Sequence, residues 1–437
     1  PYNRLPLFFL VLLFILQLVS CPVLGQEVQK KMLLEGDFRL WNEVHLDEIS
    51  PDEKWASYKL EHSDGTDTLF IKNIYNNIIY NIPDGHNAVF TDNNLLICQS
   101  GSDLHILNLK TAQKELILDV RQFSYCKTSE QLVYLQKSAV KNEQLVLYSL
   151  QNNLRNTISA IDSFITSPDG KYVALTGLIE KKNAAGLIDL RKPSMVQWLS
   201  MSDDAKYAGQ TWQHKGAGVV FVKQFNDIKK NELYLFKTAS SKLYMIDKTS
   251  NEEAMNNWAI TADPLLKISI SDDMQKVFFA VKEINPTNAV QAESNVEIWN
   301  ANDKLIFPDE KYNGRFDKKP KLALWQPETK KINVITSNDF PSVMLFNNMK
   351  FAILSNPKKY EPQFEPEAPR DFYIVNLKNF EKKLILKKHP FHIWALNPSP
   401  SGRYFSYFKE NNWWIYDPLK DIHINITGSL STRFAGK

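Results

Sequence analysis

The chain alternates short runs of Val, Ile, Leu, Phe, Tyr and Trp with polar clusters of Asn, Asp, Ser, Pro and Gly. Such runs read as β-strands bounded by turns, and no long amphipathic helix interrupts them. The pattern repeats. Its clearest copy is TSPDGKYVALTG, Thr166 to Gly177. Ser-Pro-Asp-Gly is a turn with a mechanism: Pro presets φ, Asp bonds its own backbone, and Gly takes a positive φ. Related copies are ISPDEKWASYKL (Ile49 to Leu60), ISDDMQKVFFAV (Ile270 to Val281) and PSPSGRYFSYF (Pro398 to Phe408). Looser copies start at Thr91, Thr128, Lys215 and Asn347.

A second strand follows each copy, and after five of them a third strand follows a polar turn. Eight units result, with strand onsets at Trp55, Leu95, Leu132, Tyr172, Val219, Val277, Phe351 and Tyr404. Their separations are 40, 37, 40, 47, 58, 74 and 53 residues. The early spacings match one four-stranded propeller blade, and the later ones carry insertions. A lone four-stranded sheet cannot bury both faces, whereas stacked copies cover one another. The expectation is an all-β, eight-bladed β-propeller over residues 37–427. A β-sandwich or a string of small β domains is the alternative.

Three insertions stand out. The longest lies between Glu283 and Lys319 and contains VEIWNANDKLIFPDEKYNGRFDKKP, Val296 to Pro320. Asn356 to Asp371 is rich in Pro and acids and reads as an exposed arm. Ser250 to Asp263 reads as a place for a short helix.

Residues 5–19, LPLFFLVLLFILQLV, are too short for a bilayer span and are flanked like a secretory signal. Cleavage after Gly25 makes residues 1–25 a signal peptide and 26–36 a linker. Alternatively LVSC resembles a lipobox, with Cys21 lipidated. Either reading implies an exported, periplasmic or secreted chain, with a membrane tie only through that lipid. Residues 428–437 read as the start of a linker or next element, and the initial Pro suggests a fragment of a longer protein.

Composition narrows the chemistry. Among 437 residues, 52 Lys and Arg stand against 49 Asp and Glu, so no nucleic-acid footprint is expected. Cys98 and Cys126 could pair on export or remain buried thiols in neighbouring strands. No GxSxG, HExxH, P-loop or GxGxxG occurs, so no nucleophile elbow, cofactor or metal is expected. His389 and His392, three apart, read as polar loop residues. Asp52, Asp169 and Asp272 read as turn formers, since none belongs to an alternating calcium-ligand set. Glu365 and Glu367 in the acidic arm are candidates for binding a peptide's amino terminus; a solvated acidic loop is the plainer reading.

FRLWNEVHLDEISPDEKWASYKL (Phe38 to Leu60), SPDGKYVAL and especially VEIWNANDKLIFP (Val296 to Pro308) resemble the N-terminal propeller of exported prolyl oligopeptidase family serine peptidases. The dipeptidyl peptidase IV-like members of Bacteroidetes-type bacteria are the nearest in kind. The resemblance implies a propeller that filters peptides for a downstream α/β-hydrolase domain carrying a Ser-Asp-His triad. No position here matches that triad, so no catalytic residue is assigned and this chain alone is expected to be inactive. A free-standing exported propeller binding a protein or glycan is the rival expectation.

Overall fold

The computed structural model describes residues 32–138, 143–193, 195–246, 255–284, 299–300, 304–305, 307–360, 369–391, 396–431 and 434. The signal segment with Cys21, most of the 26–36 linker, His392, Glu365 and Glu367 lie outside the described residues.

Eight antiparallel sheets follow one another along the chain, each a meander in which sequence neighbours pair. Sheet 1 comprises Asn42–Ile49, Trp55–His62, Thr68–Asn73 and Ile79–Pro83. Sheet 2 comprises Gly85–Phe90, Leu95–Ser100, Asp103–Asn108 and Lys114–Ile117. Sheet 3 comprises Val120–Cys126, Gln131–Lys137, Glu143–Ser149 and Arg155–Ser159, and sheet 4 comprises Ile161–Thr166, Tyr172–Ile179, Lys182–Asp189 and Val196–Ser202. Sheet 5 comprises Ala205–Trp212, Gly218–Phe225, Glu232–Lys237 and Lys242–Ile246. In sheet 6 the first strand is split into Trp258–Thr261 and Ser269–Ile270, both paired with Val277–Glu283; Lys321–Gln326 and Lys331–Val334 complete it. Sheet 7 comprises Ser342–Leu345, Phe351–Ser355, Arg370–Asn376 and Lys382–His389. Sheet 8 comprises Leu396–Pro398, Phe405–Lys409, Asn412–Asp417 and Ile422–Asn425. This succession is the blade pattern of the eight-bladed β-propeller expected from the repeats.

The chain divides into two compact units at Leu116 and Ile117. In the first, Trp55, Leu69, Ile71 and Ile82 of sheet 1 pack with Phe90, Leu96, Cys98 and Leu107 of sheet 2. In the second, successive sheets share cores in the same way. The middle strands show how. In Val277–Glu283, Val277, Phe279 and Val281 join Val220, Val222 and Leu235 of sheet 5. Phe278, between them, joins Ala352, Leu354 and Val375 of sheet 7. Side chains alternate across a strand, so one strand serves two cores and must be apolar at every position. The outer strands face one neighbour or none: Arg155–Ser159 is nearly all exposed.

The same hairpin joins the first and second strands of every sheet. Its fourth residue donates its N–H to the first residue's carbonyl at 2.8–3.3 Å. That fourth residue is left-handed in all eight: Glu53, Asn94, Glu130, Gly170, Gly216, Met274, Met349 and Gly402, with φ between 49° and 77°. This is a type I turn closed by a left-handed residue, a standard hairpin connection. Only three of the eight use Gly, although Gly meets that geometry without steric cost.

The structure sharpens three sequence expectations. Within Ser250 to Asp263, where a short helix was expected, Met255 is helical and the strand Trp258–Thr261 follows, pairing with Val277–Glu283. The arm from Asn356 ends inside the fold: Asp371 is 5% exposed on a strand of sheet 7. Cys98 and Cys126 are free buried thiols. This is the buried-thiol alternative rather than the pairing, although the two lie in separate cores, of sheets 1–2 and of sheets 3–4, and not in neighbouring strands.

Candidate functional site

The first hairpins build the best-defined polar surface. Ser50 Oγ donates to Asp52 at 2.7 Å, and Ser167 Oγ donates to Asp169 at 2.6 Å. Each Asp also accepts the backbone N–H two residues on, at 3.2 Å. In the sixth sheet the turn acid is Asp273, which accepts from Ser271 Oγ at 2.5 Å and from the Gln275 N–H at 3.0 Å. This corrects the assignment of Asp272. The run Ser271-Asp272-Asp273-Met274 aligns with Ser-Pro-Asp-Gly, so Asp272 occupies the proline position and its side chain is not needed by the turn. Burial disfavours the charged form of Asp273, yet the Ser271 hydroxyl and the Gln275 N–H hold its carboxyl below the ordinary value.

Freed from the turn, Asp272 reaches sheet 5. Its carboxylate meets His214 Nδ1 at 3.0 Å and Lys215 Nζ at 3.0 Å, and Gln213 Nε2 donates to it at 3.4 Å. Gln213 Oε1 accepts the N–H groups of Lys215 and Ala217, which fixes the direction of its amide. A cavity of about 520 Å3 opens beside this group, lined by His214, Ser269, Asp272, Leu345, Phe346, Asn347, Asn348, Met349, Pro400 and Ser401. Four sheets contribute to it. No sequence motif pointed here; the one available signal was the acid in the proline position of the repeat.

A second cavity, also about 520 Å3, lies by the two long insertions. Lys304, Phe316, Asn338, Asp339, Phe340, Asn356, Lys358, Lys359, Asp371 and Tyr373 line it. Its charges are largely committed. Lys358 Nζ donates to Glu310 Oε1 at 2.7 Å and to the Gly314 carbonyl at 2.7 Å. Asp371 accepts Tyr360 Oη at 2.7 Å and the Lys388 N–H at 2.8 Å. Phe340 and Tyr373 meet edge to face at 5.0 Å, giving the cavity an aromatic wall. Lys321 is 4% exposed and donates to the Phe316 and Lys319 carbonyls, tying Phe316 in place; burial draws its pKa below the ordinary value.

His389 is not a loop residue. It ends a strand of sheet 7, is 6% exposed, and faces the Pro390 carbonyl with Nδ1 at 2.7 Å and the Phe408 carbonyl with Nε2 at 2.8 Å. Both ring nitrogens are thereby committed to the junction of sheets 7 and 8. Among the described residues no group of three His, Cys, Asp or Glu could hold a metal ion. Burial pushes the Cys98 and Cys126 thiols up to about 12, which suits structural rather than reactive cysteines. No helix of the described residues is long and apolar enough to cross a membrane.

No family model matches the chain, and no curated protein matches it. Among solved structures it is similar to the β-propeller domain of the Trilobed protease from Pyrococcus furiosus, at 11% identity and TM-score 0.32, over 79% of this chain and 98% of that one. It is also similar to an acylaminoacyl peptidase from Pyrococcus horikoshii, at 10% identity and TM-score 0.32, over 86% of this chain and 57% of that one. Oligopeptidase B from Leishmania major is similar at 7% identity and TM-score 0.38; 86% of this chain is covered, and the chain spans 53% of that peptidase. At these identities and scores the likenesses carry no argument about activity, and the fold rests on the sheets themselves.

Proposed function

We propose that this chain is the peptide-binding, substrate-gating propeller of an exported prolyl oligopeptidase family serine peptidase. Hydrolysis would be acyl transfer by a Ser-His-Asp triad on a separate α/β-hydrolase domain. The observation that carries the reading is the combination of eight successive blade-type sheets with the resemblance of the Phe38 to Leu60 and Val296 to Pro308 stretches, in a sequence lacking GxSxG. Export would run through residues 1–25, by cleavage after Gly25 or by lipidation of Cys21. Glu365 and Glu367 stay candidates for the amino terminus of a peptide.

The reading has a direct test. The purified 437-residue chain should bind short peptides without cleaving them, and the encoding frame should run into a GxSxG. Peptide hydrolysis by this chain alone would refute the division of labour.

One observation favours the rival, a glycan-binding propeller. The cavity with Phe316, Phe340 and Tyr373 sets aromatic rings beside the Asn338 amide. Oligosaccharide titration of the same preparation separates the two readings.

A further inference from the structure

In the unit formed by sheets 3 to 8, the first hairpins lean on one another in series. Gly170 of sheet 4 lies against Thr128 of sheet 3: a Cβ there would stand 3.4 Å from it. Gly216 of sheet 5 lies closer still to Asp169 of sheet 4, where a Cβ would meet the carboxylate at 2.7 Å. His214 and Lys215 of sheet 5 hold Asp272 of sheet 6. Asn347 Nδ2 of sheet 7 donates to the Ser399 and Pro400 carbonyls of sheet 8 at 3.3 and 3.1 Å, and Asn348 Nδ2 donates to the Gly402 carbonyl at 2.7 Å. Between the first hairpins of sheets 6 and 7 the cavity beside His214 and Asp272 opens instead.

Its two walls differ in chemistry but not in net demand. On the sheet 5 and 6 side, the Asp272 charge is answered by Lys215. On the sheet 7 and 8 side stand amides and the Ser401 hydroxyl, and the Asn347 Oδ1 remains an acceptor because its Nδ2 is committed. Leu345 and Met349, both part-exposed, supply an apolar floor. From this juxtaposition the geometry points to a binding site for an extended, uncharged stretch of peptide, seated between the first hairpins of sheets 6 and 7. The inference rests on the peptide-binding reading and places it. The Asp272 carboxylate and the Lys215 ammonium are already paired with each other, so a charged peptide end finds no unanswered counter-ion here and still pays its desolvation, a cost the uncharged main chain within a peptide avoids. Its N–H groups suit Asn347 Oδ1, its carbonyls suit the Ser401 and Ser269 hydroxyls, and one apolar side chain covers the floor. A ligand that binds both walls of the folded chain stabilises it by mass action.

The test titrates the full chain with acetyl-Ala-Leu-Ala-Ala-amide and with the same tetrapeptide bearing free ends, by calorimetry and thermal melting. The blocked peptide should bind about tenfold more tightly and raise the melting temperature. Two variants report on the site: Ser269→Ala, which removes a hydroxyl assigned to the peptide, and Ser401→Trp, which fills the cavity. Each should weaken binding by about tenfold or more while the unliganded melting temperature holds. The pair Glu365→Gln with Glu367→Gln should leave blocked-peptide affinity unchanged. Blocked-peptide binding that survives both site variants would overturn this placement and leave the peptide-binding reading standing. Free ends bound as tightly as blocked ones would overturn the neutrality argument. Failure of both peptides to bind at about 1 mM would overturn the placement and the reading together.

Discussion

At the scale of single residues, the hairpins show where this chain departs from its own repeat. Five of the eight left-handed corners carry a side chain, among them the exposed Glu53 at φ 58°. A left-handed residue with a Cβ costs roughly 1–2 kcal/mol, and glycine avoids most of that cost. Glu53→Gly should therefore stabilise by about 1 kcal/mol, read as a higher urea midpoint at unchanged slope. A lower midpoint would mean that the Glu53 side chain makes a contact of its own. Residue identity also misled in one place. Asp52 and Asp169 were legible as turn acids because proline precedes each. In Ser271-Asp272-Asp273-Met274 two acids compete for the role, and only the hydrogen bond from Ser271 to Asp273 tells them apart.

Elements carry the next two predictions. Gly216 has φ 77° and no room for a Cβ beside Asp169, so Gly216→Ala should destabilise by about 2 kcal/mol or more, measured by denaturant unfolding. Asp169→Ala, which removes both its own turn bonds and the clash, should cost less in that chain than in the parent. Acid should act on the hairpins through their carboxylates. The Asp52 and Asp273 carboxyls are held below 3.8 by the Ser50 and Ser271 hydroxyls, burial opposing in both. A folded-state pKa below the unfolded one means stability present above 3.8 and lost as pH falls through the folded value. Melting temperature should drop as pH falls below about 4, and Asp273→Asn should flatten that drop. An unchanged slope in the variant would remove Asp273 from the account. The second strands were legible to within one residue: Leu132 and Val219 stand one position inside their strands, and Tyr404 one position before Phe405. Val277 to Val281 is apolar at every position because sheets cover it on both faces, whereas Trp55–His62 carries Ser57, Lys59 and Glu61 and was announced by its turn. First and fourth strands such as Asn42–Ile49 and Arg155–Ser159 are largely exposed, so their sequences lack the pattern that would announce them.

For the whole molecule, the gating proposal predicts a change in range rather than in chemistry. Joined to its native hydrolase domain, the propeller should narrow the length of peptides accepted, measured as kcat/KM across a peptide ladder. An identical ladder with and without the propeller would remove the gating role.

The sequence alone determined that this chain is a succession of eight like-built antiparallel sheets. Turn chemistry and strand periodicity are local, and a repeat states them eight times over. It also excluded a nucleophile elbow, since that motif is contiguous. Tertiary structure alone decided that Asp272 belongs with His214, that His389 is buried between carbonyls, and that Cys98 and Cys126 lie in different cores. Those facts depend on which sheet faces which, and residues 58 apart meet only because two hairpins, each sound by itself, come to lie side by side.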